Sequence, residues 1–355
     1  MKKDNNIYFQ SANKPEELEI QTSSMRLVAK CWGNPNGLPV LAFHGWLDNA
    51  ATFDNLAPLL PKLRIISLDL PGHGYSDHRP SGSAYYFIDM VMDVIEAADV
   101  LELERFSLLG HSMGAGVDHI VYDDSLPKNT PVCRISDEKL SFSMTNYILT
   151  AVLFYHRRLL KYIDDKKNKV WDNDTHPEVP VKIGILGYGA LGSDAGIKLD
   201  NLGFNVIGYS LNKKKSSKIK VYHGNQLNTF LGMINVLICT VPYTSKTKYL
   251  LSEKLFSNLK KGTYLINVSR GKVQNESDIL KFLNNGILSG AFLDVFEEEP
   301  LPKKSPLWNK KNVQITPHNA SITNQEAAVP QIIDNYNRLV EGKKLLNEVN
   351  LKNEY

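Results

Sequence analysis

The chain has 355 residues, of which 43% are hydrophobic and 22% are charged, and its formal net charge at pH 7 is +3. This is the composition of an ordinary globular protein that is long enough for two domains. The lysines are spread along the chain, which does not indicate a nucleic-acid-binding protein. No apolar window approaches the ~20 residues of a membrane span. The three cysteines have no metal-ligand spacing and suit a reducing compartment. We therefore expect a cytoplasmic protein with neither a metal site nor a membrane partner.

After a polar tail at residues 1–16, residues 17–117 have the pattern of an α/β domain. The alternation of apolar residues predicts five strands and two helices. The predicted strands are 18–20, 26–29, 39–43, 65–70 and 106–109, and the predicted helices are 51–60 and 84–101.

Two motifs in this region are typical of serine hydrolases. His44 and Gly45 follow the third predicted strand, where backbone N–H groups could form half of an oxyanion hole. Ser112 is the centre of a G-x-S-x-G sequence after the fifth strand, the spacing of a nucleophile elbow. With the DLPGHGYS segment at 69–76 between them, these motifs resemble the N-terminal half of an α/β-hydrolase.

The hydrolase pattern stops at this point. A hydrolase triad continues from the serine to an acid and then to a histidine on later strands of the same sheet. His119 is too near the serine in sequence to be the base, and the next candidates, His156, His176 and His223, lie in segments of a different pattern. We expect no esterase activity from Ser112, and a residual hydrolase is the third and weakest alternative for the function.

The strongest signal begins at Val181, where a short apolar strand continues into a G-x-G-x-x-G turn. An amphipathic helix at 190–202 and a second strand at 204–209 complete a βαβ unit, the context of a dinucleotide site. The alternative is an ordinary strand-to-helix turn. The predicted cofactor-binding residues of the turn are Gly187, Tyr188, Gly189, Ala190, Leu191 and Gly192.

The end of the second strand of this unit indicates which dinucleotide binds. An NAD site usually has an acidic residue about 20 residues after the glycines, for the ribose 2′-hydroxyl. Residues 209–215 instead contain Ser210, Lys213 and further lysines. We predict that NADPH is preferred and that NADH is possible; the alternative is a solvated run of lysines.

Three further motifs occur at predicted strand ends. Arg270-Gly271 follows the strand 264–269, and an arginine can bind a carboxylate with paired donors. Asp294 lies in the strand 290–296, which is followed by Glu299-Pro300, and His318 follows Thr316-Pro317. An imidazolium beside a carboxylate can donate a proton to a developing alkoxide, and the order Arg270, Glu299, His318 favours this role for His318.

With these motifs, residues 115–355 resemble the D-isomer-specific 2-hydroxyacid dehydrogenase family, and in particular its glyoxylate/hydroxypyruvate reductase branch. The resemblance implies that Arg270 binds the substrate, that His318 is the proton donor and that Glu299 supports it. It also implies that Asp294 binds the nicotinamide carboxamide and that the backbone of Ala115 and Gly116 holds the substrate carboxylate. Further cofactor-binding residues by resemblance are Val241, Pro242, Thr247, Val268 and Ser269.

The predicted architecture is α/β: a doubly wound parallel Rossmann sheet preceded by a truncated hydrolase-like half-sheet. The stretch 114–120 fits both family patterns, which suggests a fusion of two coding segments; the alternative is a single domain with a coincidental motif. The predicted segments are the tail 1–16, the partial hydrolase-like domain 17–117, a hinge region 118–179, the nucleotide domain 180–318 and a return helix with tail 319–355.

The predicted function is NAD(P)H-dependent reduction of a small 2-oxo acid such as glyoxylate or hydroxypyruvate. The alternative is a fusion product that binds the dinucleotide but is catalytically impaired, since the family's own substrate domain looks replaced. The resemblance also suggests a homodimer.

Four structural details complete the prediction. One helix is expected over 144–162 with solvated residues at 156–158, and a return helix over 324–345. The strand 106–109 is expected to have an exposed edge, and Glu297 and Glu298 are expected to be solvated.

Overall fold

A computed structural model describes residues 14–45, 48–111, 131–135, 138–173, 178–214, 218–321 and 325–349. These residues form two compact units. The front unit consists of the described residues up to Ile135 together with those from Gln325 onward, and the nucleotide unit consists of the described residues between them. No helix within these ranges is long and apolar enough to cross a membrane.

The front unit is built on a five-stranded mixed sheet with the strand order β1-β2-β4-β3-β5. The first three strands in this order are antiparallel, whereas β3 runs parallel to β4 and to β5. All five predicted strands are present. Their bounds are β1 (Glu16–Gln21), β2 (Arg26–Gly33), β3 (Pro39–Phe43), β4 (Arg64–Leu68) and β5 (Ser107–Gly110).

The connections of this sheet differ from the sequence prediction in one place. The predicted helix 51–60 is wrong, because the segment forms two 3-10 turns, Ala50–Phe53 and Ala57–Leu59. Pro58 has no N–H to continue a helix from the preceding turn, and this separates the two turns. The second predicted helix is present as α1 (Phe87–Val100).

The nucleotide unit has a seven-stranded sheet in which every pair of neighbours is parallel. Its strand order is β12-β11-β10-β9-β6-β7-β8, so the order reverses at β6, as in a doubly wound Rossmann sheet. The predicted fold class is therefore confirmed. The strands are β6 (Lys182–Leu186), β7 (Asn205–Ser210), β8 (Val221–His223), β9 (Val236–Cys239), β10 (Thr263–Asn267), β11 (Leu288–Leu293) and β12 (Val313–Ile315).

Apolar side chains cover both faces of this sheet, because parallel strands are buried on two sides. Six helices of the unit lie between or before its strands. They are α2 (Glu138–His156), α3 (Leu159–Asn168), α4 (Ala190–Asn201), α5 (Leu227–Leu231), α6 (Glu253–Phe256) and α7 (Glu276–Asn284).

The prediction of one continuous helix over 144–162 is wrong. The chain breaks between α2 and α3 at Arg158, whose φ of 54° is left-handed and cannot continue a right-handed helix. The His156 side chain is 17% exposed, its Nδ1 lies 2.8 Å from the carbonyl oxygen of Val179, and its ring contacts Phe204 edge-on. The expectation that His156 is solvated is therefore also wrong.

The return helix is present as α8 (Gln325–Val340) and belongs to the front unit. Val329, Ile332 and Tyr336 pack against a buried cluster on one face of the five-stranded sheet. This cluster includes Trp32, Val40, Ala42, Phe53, Leu60 and Ile65. The hydrolase-like sheet is thus covered on this face by a helix from the far end of the chain.

At one edge of the same sheet, β5 pairs only with β3 among the described residues. Leu108 on this strand is 47% exposed. Within the described ranges, β5 therefore has the open edge that was expected for a truncated hydrolase sheet.

The packing of α8 gives a test of whether it stabilises the front unit. We expect Ile332→Ala to lower the free energy of unfolding by about 2 kcal/mol, because it removes methyl groups of a partly buried side chain that packs against the sheet. The matched control is Ile333→Ala on the same helix, where the side chain is 40% exposed and the change should stay within about 0.5 kcal/mol. Urea unfolding followed by tryptophan fluorescence measures both. Equal losses in the two variants would contradict this role of α8.

Candidate active site

The glycine turn between β6 and α4 has the conformation that its spacing predicts. Gly187 has a φ of +101°, and a Cβ there would lie 2.8 Å from the backbone nitrogen of Val241. At Gly192 a Cβ would lie 2.5 Å from the carbonyl oxygen of Gly187. The first glycine is therefore required by the turn and the third by the close packing of α4 on the strand.

The second glycine of the turn faces open space. A Cβ at Gly189 would meet no atom within 4 Å, and Gly189 is the N-cap of α4 without a side-chain capping bond. The first N–H groups of α4, from Ala190 and Leu191, thus start a helix whose N-terminus is suited to a phosphate group. This geometry fits the pyrophosphate of a dinucleotide.

Tyr188 has a structural role in this turn. Its side chain is 4% exposed and its ring lies over Gly196 and Gly208, where a Cβ would come within 3.0 Å and 2.5 Å of the ring. Its amide donates to the carbonyl oxygen of Tyr209 at 2.9 Å. The Tyr188 ring packs against the protein and its amide donates to the protein backbone. A contact of Tyr188 with the cofactor stays a prediction.

The loop after β9 lies beside the glycine turn. The Thr247 hydroxyl donates to the carbonyl oxygen of Pro242 at 2.7 Å and accepts from the Thr244 amide at 2.7 Å. Val241 is 8% exposed. These contacts fix the backbone of the segment at the carboxyl end of β9.

At the end of β7, the Ser210 hydroxyl donates to the carbonyl oxygen of Asn212 at 2.5 Å, and Lys213 is exposed. An exposed cation and a hydroxyl at this strand end are compatible with a 2′-phosphate.

Arg270 lies three residues after the end of β10 and is exposed, and its Nη1 donates to the carbonyl oxygen of Ser269 at 2.8 Å. The next residue must be small, because a Cβ at Gly271 would lie 1.6 Å from the carbonyl oxygen of Phe296. The chain after β10 therefore passes in direct contact with the chain after β11.

A buried polar network holds the backbone around Arg270. The side-chain oxygen of Asn267 accepts from the Ser269 hydroxyl at 2.6 Å and from its amide at 3.0 Å. The Asn267 amide group donates to Gln274 at 2.8 Å, and Gln274 donates to the carbonyl oxygen of Val295 at 2.9 Å. Ser269 thus has a structural hydroxyl, and Val268 is 4% exposed in the core. The sequence gives no periodic signal for Asn267 or Gln274, which the prediction missed.

His318 and Glu299 form the central pair of the site. Nδ1 of His318 lies 2.7 Å from Oε2 of Glu299, and the other carboxylate oxygen of Glu299 accepts from the Phe296 amide at 2.8 Å. The two side chains are 45% and 34% exposed, so the pair is accessible from solvent. The structure thus brings together two residues that are 19 positions apart, as the sequence pattern indicated.

Asp294, at the end of β11, is 1% exposed. Its Oδ1 accepts from the Thr316 hydroxyl at 2.6 Å and from the Asn319 amide at 2.9 Å, and its Oδ2 accepts from the Ala320 amide at 2.9 Å. A carboxylate oxygen can accept about two hydrogen bonds, so Oδ2 has capacity for one more donor.

Glu297 differs from its prediction. Its side chain accepts from the Glu276 amide at 2.6 Å, and the Glu276 side chain accepts from the Glu297 amide at 2.7 Å. Burial raises the pKa of Glu276. This reciprocal pair ties the start of α7 to the loop after β11, so Glu297 is not simply solvated.

The hydrolase-like motif has a structural role where it is described. His44 is 0% exposed, its Nδ1 donates to the carbonyl oxygen of Gly45 at 2.7 Å, and its Nε2 accepts from the Leu70 amide at 3.0 Å. Burial lowers the pKa of His44, which favours the neutral ring that these two bonds require. Ser112, Ala115 and Gly116 lie outside the described residues.

Two family models match consecutive parts of the chain. The model of the alpha/beta hydrolase fold matches residues 39–124, and the model of the D-isomer specific 2-hydroxyacid dehydrogenase NAD binding domain matches residues 149–320. A glyoxylate/hydroxypyruvate reductase A from Photorhabdus laumondii is 35% identical over 323 residues, which are 89% of this chain and 99% of the relative.

The chain belongs to the D-isomer-specific 2-hydroxyacid dehydrogenase family. A second relative of this dehydrogenase, a glyoxylate/hydroxypyruvate reductase A from Yersinia enterocolitica, is 35% identical over 69% of the chain and 80% of the relative. The predicted resemblance is thereby confirmed for both parts of the chain, and the protein is an oxidoreductase with an NAD-binding domain.

Solved structures agree with this assignment. The NADPH-dependent glyoxylate/hydroxypyruvate reductase from Sinorhizobium meliloti, in complex with NADP and sulfate, has a TM-score of 0.73 and 30% identity. The match covers 90% of this dehydrogenase and 100% of that chain. A family member from Xanthobacter autotrophicus, in complex with NADPH and MES, has a TM-score of 0.65 and 36% identity over 67% of this chain and 99% of its own.

The open face of the glycine turn gives a test of nucleotide binding by the dehydrogenase. We expect Gly189→Ala to weaken NADPH binding at least ~10-fold, about 1.4 kcal/mol, because the methyl group enters the space that a pyrophosphate would need. The matched control is Gly232→Ala, whose Cβ would be 3.5 Å from its nearest neighbour, Asn228, and which should bind normally. Titration of NADPH fluorescence measures both. Unchanged affinity in folded Gly189→Ala protein would show that the turn does not hold the pyrophosphate.

Proposed function

We propose that this protein reduces a small 2-oxo acid of the glyoxylate or hydroxypyruvate type to the 2-hydroxy acid, with NADPH as the preferred cofactor. The observation that carries the proposal is the contact of 2.7 Å between His318 and Glu299 at the carboxyl end of the sheet. The relatives named as glyoxylate/hydroxypyruvate reductases support the substrate class.

The proton donor in this proposal is His318. Its Nδ1 is paired with Glu299, so Nε2 is the nitrogen that gives a proton to the developing alkoxide. The carboxylate of Glu299 is itself oriented by the Phe296 amide, which fixes the ring. Loss of His318 would remove the proton donor, whereas loss of Glu299 would leave the His318 ring without the carboxylate that orients it.

The substrate anchor in this proposal is Arg270. Its guanidinium keeps its charge and can hold the carboxylate and the carbonyl oxygen of a 2-oxo acid with paired donors. The glycine that follows it allows the end of β10 to contact the chain that leads to Glu299. Arg270, Glu299 and His318 follow three neighbouring parallel strands, β10, β11 and β12, at the carboxyl end of the sheet.

In this proposal the cofactor would be held along the same edge, with Gly189 and the start of α4 at its pyrophosphate. When bound, NADPH would supply a hydride for the reduction of the carbonyl carbon. The residues that would hold it are the glycine turn, the segment Val241–Thr247 and Asp294, whose Oδ2 can accept one more hydrogen bond from the carboxamide. Lys213 would bind the 2′-phosphate, and Ser210 would do so by turning its hydroxyl from the carbonyl oxygen of Asn212 to the phosphate. NADH as a weaker cofactor, a homodimer and the predicted domain boundaries remain predictions.

The catalytic assignment is tested with purified protein, glyoxylate or hydroxypyruvate, and NADPH. We expect His318→Ala to lower kcat by ~100-fold or more, because the alkoxide loses its positioned acid. Arg270→Ala should lower kcat/KM strongly, whereas Lys272→Ala, an exposed cation two residues further on, should be active. Full activity of His318→Ala would refute the assignment. NADPH binding by the wild type without turnover would favour a catalytically impaired fusion product.

The cofactor preference is tested at Lys213. We expect Lys213→Ala to raise KM for NADPH by about 10-fold and to leave KM for NADH unchanged, because only NADPH has the 2′-phosphate. Lys254→Ala, an exposed lysine on α6, is the control. The proposal for Lys213 fails if both cofactors are affected equally.

A further inference from the structure

The loop 316–320, which carries His318, is held by one residue at the end of β11. The Asp294 carboxylate accepts from the Thr316 hydroxyl and from the amides of Asn319 and Ala320. The Asp294 carbonyl oxygen accepts from the His318 amide at 2.9 Å. Four donors of the loop therefore converge on a side chain and a carbonyl group of the same buried residue.

The loop needs this support because His318 has an unfavourable backbone conformation. Its φ is +52°, in the left-handed region, which costs a non-glycine residue about 1 kcal/mol or more. A left-handed residue persists where the surrounding contacts determine it. If the contacts to Asp294 were lost, we expect the loop to relax and the His318 ring to leave Glu299.

The hydrogen bonds of Thr316 have only one possible direction. Its hydroxyl has a single proton, and the Asp294 carboxylate can only accept, so Thr316 donates to Asp294. The Tyr147 hydroxyl is in hydrogen-bond contact with the same Thr316 oxygen and must be the donor there. Burial raises the pKa of Tyr147, and so does the charge of Asp294, which keeps the phenol protonated.

Tyr147 comes from α2, which lies against the sheet. Its ring packs edge-on against Phe292 of β11, with ring centroids 5.5 Å apart. On the same helix, the carbonyl oxygen of Leu140 accepts from the Ser321 hydroxyl at 3.0 Å. Helix α2 is thus bonded to the chain on both sides of His318, at Thr316 and at Ser321.

We propose that Tyr147 and Thr316 are positioning residues for the acid of the reaction, acting through Asp294 to hold the left-handed backbone of His318. The proposal rests on the proposed function. It gives Asp294 a second task besides the expected contact with the nicotinamide, and it includes a residue of α2 in the site.

The first arm of the test does not depend on activity. Hydrogen–deuterium exchange is measured on wild type, Tyr147→Phe, Thr316→Val and Thr316→Ser. We expect faster exchange of the Asn319 and Ala320 amides in Tyr147→Phe and Thr316→Val, and exchange near the wild-type rate in Thr316→Ser, which retains the hydroxyl. The matched control is Tyr155→Phe on the same helix, whose ring stacks on Tyr264 away from this loop and should leave these amides unchanged.

The second arm measures kcat and KM of the same variants with glyoxylate and NADPH. We expect kcat to fall about 10-fold in Tyr147→Phe and Thr316→Val, because small displacements of a catalytic group are costly. KM should change little, since Arg270 and the glycine turn are intact, and Thr316→Ser should restore kcat.

Each outcome decides one of the two proposals. Unchanged exchange in both variants would overturn the positioning proposal, and so would faster exchange with full kcat in an active enzyme. Wild-type protein without turnover would instead overturn the proposed function. Faster exchange in the variants would in that case still support the role of Tyr147 and Thr316 in holding the loop.

Discussion

The parallel pairing of the seven-stranded sheet is the constraint on which the site depends. Because β6, β9, β10, β11 and β12 are neighbours and parallel, their carboxyl ends must meet at one edge. The glycine turn, Arg270, Asp294 and His318 each follow one of these strands. Close approach at this edge also fixes where glycine is needed: at Gly192, where α4 lies on the turn, and at Gly271, where two strand ends touch. The short segments that carry the candidate site residues are therefore also those in which close packing requires glycine.

Buried polar side chains hold the chain segments at this edge in place by hydrogen bonds. Asn267 and Gln274 are fully buried, and the hydrogen bonds from Asn267 to Gln274 and from Gln274 to Val295 join the chain after β10 to the chain after β11. Asp294 joins β11 to the loop after β12 in the same way. A buried polar group is costly unless its partners are in place, so such networks favour a single arrangement. The exposed pair of His318 and Glu299 is thereby supported from a rigid interior.

The front unit joins two separate parts of the chain. The alpha/beta hydrolase model matches residues 39–124, which include β3, β4 and β5 of its sheet, whereas the helix α8 that covers one face comes from the far end of the chain. Where its hydrolase motif is described, the His44 ring joins the chain after β3 to the chain after β4, since it bonds the carbonyl oxygen of Gly45 and the amide of Leu70. A fold does not determine a function, and these residues act as structural elements here.

The sequence by itself determined what depends on local pattern: the strands, the glycine turn and the order of Arg270, Glu299 and His318. Strand periodicity and glycine spacing are local, so neighbouring residues suffice to specify them. Only the tertiary structure decided that the helix breaks at Arg158, that α8 covers the front sheet, and that Tyr147 meets Thr316 across 169 positions. These features arise from contacts between distant residues, and no periodicity in the sequence encodes such a contact. The left-handed backbone of His318 is of the same kind, because long-range hydrogen bonds to Asp294 maintain it against its local preference.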